Sequence, residues 1–286
     1  MIKIESVDIP KELQNEIKDY FKPKTVEKTK GKRKPRTKKD KVYEKVKDYI
    51  FKKPQEINEI IKRMGTVNGD KEINDVYDGF KIKIQAFYFD ILKLRVCPYC
   101  NETPIYYIEN SSKNYQNFEF DHIMPKDKYP YLALSLYNLV PVCKYCNSKK
   151  GNKEGLPNIY LDEIMYNYNI IPRDDGDFIN LEDFKIIKRN LLNADNLDKL
   201  LHLENRYNLS LHKEYLVNLL KKIEYYNKDR IDDLLDSGLF STKDEILNRV
   251  FEEIRIIAND SNKPRHKLTR DILEQFKVLG IIENYY

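Results

Sequence analysis

Two C-x-x-C knuckles, Cys97-Pro-Tyr-Cys100 and Cys143-Lys-Tyr-Cys146, hold all four cysteines of the 286-residue chain, with 42 residues between them. Each knuckle lets two thiolates reach one ion from a tight turn, and two knuckles complete the tetrahedral sulfur shell that structural zinc prefers. Four thiolates leave no open coordination position, so an ion held there stabilises rather than catalyses. A redox dithiol, the other chemistry open to C-x-x-C, has no need of a second knuckle. Confinement of the cysteines to one stretch also differs from the dispersed disulfide framework of a secreted protein.

The segment between and just after the knuckles adds groups of another kind. Phe118-Glu-Phe-Asp121-His122 alternates like a strand and ends in an acid and an imidazole, followed by Ile-Met-Pro-Lys126. Asn138 precedes the second knuckle in Leu134-Ser-Leu-Tyr-Asn138-Leu-Val-Pro-Val-Cys143, and Cys146-Asn147-Ser-Lys149-Lys150-Gly151 opens what reads as a short helix. In order and spacing, D-H-I-x-P, the Asn ahead of the knuckle and C-x-x-C-N-x-x-K-G resemble the HNH, or His-Me finger, endonucleases over residues 95–155. Asn147 stands where many members carry His. The resemblance implies a ββα-metal nuclease core.

Phosphodiester hydrolysis needs a deprotonated water in line with the leaving oxygen, and a cation to offset charge on the phosphorane. His122, an imidazole that titrates near neutrality when unperturbed, suits general-base activation of that water. Asp121, on the opposite side of the strand end, offers the hard oxygen that Mg²⁺ or Mn²⁺ prefers, and Asn147 on the facing helix offers a second. Asn138 is implied by the resemblance to orient the His122 ring through a hydrogen bond; the plainer reading is an Asn favoured by a turn before a strand. Lys150, Lys126 and Lys149 are candidates for contacting phosphate, or are solvated. A capping role for Asp121-His122, with His122 as a spare zinc ligand, is the alternative to catalysis. His202, His212 and His266 read as surface or helix-packing residues.

Positioning these groups calls for strands, a short helix and helical flanks. Lys11–Phe21 is weakly amphipathic, and apolar residues recur at helical intervals over Val42–Ile61 and Asn74–Arg95, the latter through Val76, Phe80, Ile84, Phe87 and Ile91. PIYYIE and NFEFDH read as a β-hairpin or as two consecutive strands. Farther on, RDDGD (173–177) reads as a turn that lacks the frame of a calcium loop. Residues 196–235 read as one or two long helices with Leu200, Leu203, Tyr207, Leu211, Tyr215, Leu219 and Ile223 on one face, followed by helices at 243–258 and after Thr269. The expected fold is α+β: a predominantly helical protein with a central ββα-metal HNH nuclease module stapled by a four-cysteine zinc site. Its expected parts are an N-terminal helical region (1–90), the nuclease module (91–157) and a C-terminal helical region (158–286).

The net charge of +5 is unevenly spread: residues up to Pro157 sum to +10 and those after it to −5. Within 22–41, eleven of twenty residues are Lys or Arg, which reads as a flexible basic arm. Such asymmetry fits a polyanionic partner, nucleic acid and DNA first, although a solvated basic surface has the same composition. The stretch MIKIESVDIPKEL lacks the pattern of a secretory signal, and no apolar run reaches the roughly 18 residues of a membrane span, so a cytoplasmic protein without membrane contact is expected. The wider pattern D-H-I-M-P-K-x-K-Y-P-x-L-A-L-S-L-Y-N-L-V resembles HNH proteins of bacterial antiphage systems of the Septu and retron-associated type, and restriction-type HNH enzymes. The former implies a partner ATPase. Two other readings stay open: a non-catalytic zinc module that binds nucleic acid or protein, and an HNH ribonuclease toxin.

Overall fold

In the computed structural model, residues 3–22, 37–109, 115–162, 165–173, 184–192 and 195–278 are described. The fold is α+β and the chain divides into two compact units, Met1–Tyr99 with Thr103–Glu163, and Cys100–Glu102 with Ile164–Tyr286. No described helix is long and apolar enough to cross a membrane.

The first unit begins with α1 (Lys11–Phe21), α2 (Lys38–Val46), α3 (Pro54–Met64) and α4 (Lys71–Ala86). Of the expected basic arm, 23–36 lies outside the described residues. Its last residues are helical instead, because Thr37 and Asp40 form a capping box that starts α2. The expected helix over 42–61 is two helices: the chain turns after Val46, and Pro54 opens α3 at a position where its missing N–H is not needed. Asp70 caps α4 by accepting from the Glu72 and Ile73 amides. Ile73, Val76, Tyr77, Phe80 and Ile84 then recur on its buried face. Gly79, costly in a helix interior, is explained by α1: a Cβ there would collide with the Tyr20 hydroxyl, which donates to the Val76 carbonyl at 3.0 Å. α4 widens into a π turn at Phe87–Ile91 that buries three successive aromatic residues and leads toward Cys97.

The nuclease-like segment comprises β1 (Tyr107–Ile108), β2 (Tyr115–Gln116), β3 (Phe118–His122), β4 (Leu139–Cys143) and α5 (Lys144–Lys150). β1 and β2 form a two-residue ladder. The strand that ends in Asp121-His122 does not pair with PIYYIE. It pairs antiparallel with β4, from Phe118 opposite Cys143 to His122 opposite Leu139. Gly151, with φ of 51°, ends α5 directly after Lys150.

The N-terminal helices and this segment are one packed body, so the boundary expected at residue 90 does not separate two. The Leu136 amide donates to the Ile50 carbonyl at 3.0 Å and the Val67 amide to Lys128 at 2.8 Å. The Tyr88 hydroxyl donates to Leu136 at 2.6 Å and that of Tyr131 to Gly65 at 2.8 Å.

The second unit contains a hairpin that the helical reading of 158–286 did not include, β5 (Met165–Pro172) with β6 (Phe184–Leu192). Tyr166, Tyr168 and Ile170 alternate inward on one strand, Phe184 and Ile186 on the other. Of RDDGD, only Arg173 is among the described residues. The stretch read as one or two long helices is four: α6 (Asp195–Leu201), α7 (Leu203–Tyr207), α8 (Ser210–Tyr225) and α9 (Lys228–Asp236). His202 interrupts it with φ of 52°, and the restart at Ser210 shifts the helical phase, leaving Leu211 59% exposed. α10 (Lys243–Asn259) and α11 (His266–Val278) complete the unit. α11 supports the hairpin, since Asp271 accepts from the Tyr168 amide and Gln275 from that of Ile170, each at 2.8 Å. His212 is buried against Glu102 at 3.1 Å and accepts from Arg265, His266 meets the Ile257 carbonyl, and His202 is exposed.

Candidate active site

Alternation along β3 divides its side chains between two faces. Glu119 and Asp121 face α5, where Asn147 donates its amide N–H to Glu119 Oε2 at 2.6 Å and Lys150 donates to Asp121 Oδ1 at 3.0 Å. The other Asp121 oxygen accepts from the Tyr99 hydroxyl at 2.6 Å, so the central Tyr of the first knuckle braces this carboxylate. Burial pushes the Asp121 carboxyl above its ordinary range, while Lys150 and Tyr99 pull it back.

His122 lies at the end of the strand, and its Nε2 is 3.0 Å from the Ala133 carbonyl oxygen. A carbonyl only accepts, so Nε2 carries the proton and Nδ1 keeps its lone pair. Burial lowers the imidazole pKa to about 3, and the nearby charges of Lys126, Lys150 and Lys81 act in the same direction. The ring is therefore neutral at physiological pH.

Asp121, His122 and Asn147 come together at the lining of one open cavity of about 340 Å³, with Tyr77, Lys126 and Asn152 also on its wall. The structure does not place every residue singled out above as that reading requires. The hydrogen bonds of the Asn138 side chain go elsewhere than to the His122 ring. Asn138 is buried and bridges two stretches of backbone, accepting from the Met124 amide at 2.8 Å and donating to the Met124 and Leu132 carbonyls at 3.1 Å. It thus holds the loop whose Ala133 carbonyl holds His122. Lys150 is buried and its ammonium is already committed within the protein, to Asp121 and to the His122 carbonyl at 2.5 Å, so it is not the phosphate contact expected. Lys149 is exposed beside Tyr145 and is not among the residues lining the cavity, whereas Lys126 is. Three groups escaped the sequence reading: Glu119, signalled only by its two-residue offset from Asp121; Tyr99, hidden in the knuckle; and Tyr77, distant in the chain.

The four cysteine sulfurs lie within 4.8 Å of one another and all four residues are buried. Sulfurs at that separation suit a tetrahedral ion about 2.3 Å from each. Cys143 ends β4 and Cys146 lies in the first turn of α5, so the cage sits one residue from Asn147. The oxygen groups that could hold a hard cation here are the Asp121 carboxylate and the Asn147 amide oxygen, whose amide nitrogen is turned to Glu119.

Residues 97–153 match the family model described as HNH endonuclease. The Septu protein PtuB of Bacillus thuringiensis is 29% identical over 139 residues, a match covering 42% of this chain and 54% of that protein. The chain thus spans about half the length of this curated relative. No solved structure matches. The β3–β4–α5 arrangement falls within this matched segment, so residues 97–153 are similar to HNH endonucleases in sequence and hold the Asp121-His122 pair at the end of its strand.

Proposed function

We propose that this protein is a divalent-metal-dependent endonuclease that hydrolyses the phosphodiester backbone of DNA. The observation that carries this reading is the state of His122: neutral, fixed at Nε2 by the Ala133 carbonyl, and on the wall of a cavity shared with Asp121 and Asn147. His122 Nδ1 takes a proton from water, the resulting hydroxide attacks phosphorus, and the bond to the 3′ oxygen breaks; the departing 3′ oxygen takes a proton from solvent, giving 5′-phosphate and 3′-hydroxyl ends, and the imidazolium later returns its proton to solvent. Tyr99 and Lys150 keep the Asp121 carboxylate in place, and Glu119 turns the Asn147 amide. Asp121 and Asn147 would hold a Mg²⁺ or Mn²⁺ ion, which when bound would supply charge compensation for the phosphorane and leaving oxygen. Zinc in the cysteine cage is structural, and the basic arm adds salt-sensitive affinity that is independent of sequence.

The likeness to Septu protein PtuB supports a place in antiphage defence, and we propose as part of this reading a partner ATPase that docks on the C-terminal region. The test is incubation of the full chain with a mixed DNA and RNA pool and Mg²⁺, followed by sequencing of the ends. DNA ends that disappear with EDTA and with His122→Ala are expected. Cleavage undiminished in that variant would remove His122 from its role; RNA ends alone would make the protein a ribonuclease; and tight binding with no cleavage would leave a zinc-dependent nucleic-acid-binding module.

A further inference from the structure

One wall of the cavity comes from outside the HNH domain. Tyr77 of α4 lies with its ring centroid 5.1 Å from that of His122. It is 8% exposed, and its buried hydroxyl has no hydrogen-bond partner among the described residues. Burying an unpaired hydroxyl is costly, and a Phe ring would fill the same space without that cost. Two ammonium groups lie over this ring, Lys81 at 4.8 Å and Lys126 at 5.1 Å from its centroid. Lys81 is neutralised by exposed Asp78 at 2.7 Å, and the other nearby acid, Asp121, is neutralised by Lys150. Lys126 has no hydrogen bond or ion pair among the described residues. A buried, unsatisfied donor and a cation without a direct ion pair of its own therefore belong to two residues that line the cavity beside the proposed base.

We propose that Tyr77 and Lys126 hold a phosphate of the nucleic-acid backbone next to His122, the phenol O–H donating to a non-bridging oxygen and the ammonium supplying charge. The proposal rests on the nuclease reading above and extends it to a helix outside the matched domain. Hydrogen bonds to charged groups are stronger than neutral ones, and such a contact in the bound complex acts on affinity first.

The experiment uses the full chain with Tyr77→Phe, Lys126→Ala and the double substitution. Cleavage of a fluorescently labelled DNA duplex is measured with Mg²⁺, binding of the same duplex is measured in a His122→Ala background, and thermal midpoints are recorded. Tyr77→Phe is expected to weaken binding and to lower kcat/KM about ten-fold, mainly through KM, with the midpoint unchanged or raised. Lys126→Ala is expected to act similarly and to flatten the salt dependence. The double substitution costs less than the sum if both groups hold one phosphate. Binding and cleavage unaltered by Tyr77→Phe overturn the proposal, as does a lowered midpoint with KM unchanged. If the unsubstituted chain cuts nothing, the nuclease reading fails while the binding comparison still decides the subsite.

Discussion

Lys150 and Asp121 form an ion pair at 3.0 Å with side chains only 1% and 4% exposed. The same ammonium reaches the His122 carbonyl, so one residue of α5 ties down both members of the Asp-His pair on β3. Charges taken this far from water are tolerated only when every partner is present. Lys150→Met leaves the Asp121 carboxylate without its counter-ion, and we expect a loss of about 3–5 kcal/mol in urea unfolding. Adding Asp121→Asn to Lys150→Met is expected to restore part of that stability and none of the cleavage.

Asn138 acts on the backbone around His122. Asn138→Asp keeps an oxygen for the Met124 amide but turns a second oxygen toward the Met124 and Leu132 carbonyls, which cannot donate. A loss of about 2–3 kcal/mol is expected. Displacement of the Ala133 carbonyl should also lower kcat more than it raises KM. Unfolding curves and steady-state cleavage of the same preparation test both parts, and an unchanged kcat would detach Asn138 from the catalytic loop.

The cysteine cage should carry one zinc ion per chain by elemental analysis. Chelation is expected to lower the thermal midpoint strongly and abolish cleavage even when Mg²⁺ is in excess, because Cys146 and Asn147 share one turn of α5. Cys143→Ser should act in the same sense. A chelated protein of unchanged midpoint would show that packing alone holds the knuckles.

The imidazole of His122 stays neutral down to about pH 3. Between that value and its ordinary 6.5, the unfolded chain takes up a proton that the folded chain does not, so stability from this group is complete above pH 6.5 and is lost as pH falls through the window. The pH–rate profile of kcat/KM should accordingly show no break at the ordinary imidazole value. A break there that disappears in no His122 variant would belong to another group.

Asp271 has the opposite sign. Burial raises its carboxyl from 3.8 to about 6 against the pull of Lys267, so the folded chain binds a proton in a range where the unfolded chain has released it. Its contribution is complete below pH 3.8 and is lost as pH rises through 6. Asp271→Asn keeps an acceptor for the Tyr168 amide and removes the titration. The expected outcome is a flatter stability profile between these values, followed by near-ultraviolet circular dichroism during urea unfolding.

What could be read directly from the chain was short in range. The two knuckles, the strand ending in Asp121-His122 and the helix opening at the second knuckle are local patterns, and the four sulfurs stand together as their spacing requires. Partnerships made by chain return were not legible. Asn138 meets Met124 and Leu132 because a loop folds back, and Lys150 turns inward because Gly151 ends its helix over β3. Nothing in K-K-G distinguishes the lysine that is buried from the one left in water. The hairpin of Tyr166, Tyr168 and Ile170 does alternate, but its polar residues resemble those of a loop, and the fit of α11 against it depends on residues a hundred positions away. In 196–235 the apolar spacing was visible while the phase breaks at His202 and Ser210 were not.

The contribution of α4 has a bearing on how the site can be dissected or transplanted. A fragment cut at the ends of the matched domain, 97–153, would retain the cage and the Asp-His pair but forfeit Tyr77 and the Tyr88 hydroxyl that secures the Leu136 carbonyl. The smallest portable piece must therefore begin upstream of Asp70, so that α4 travels with its cap. Grafting the motif alone onto another scaffold would carry the chemical groups without the wall that encloses them.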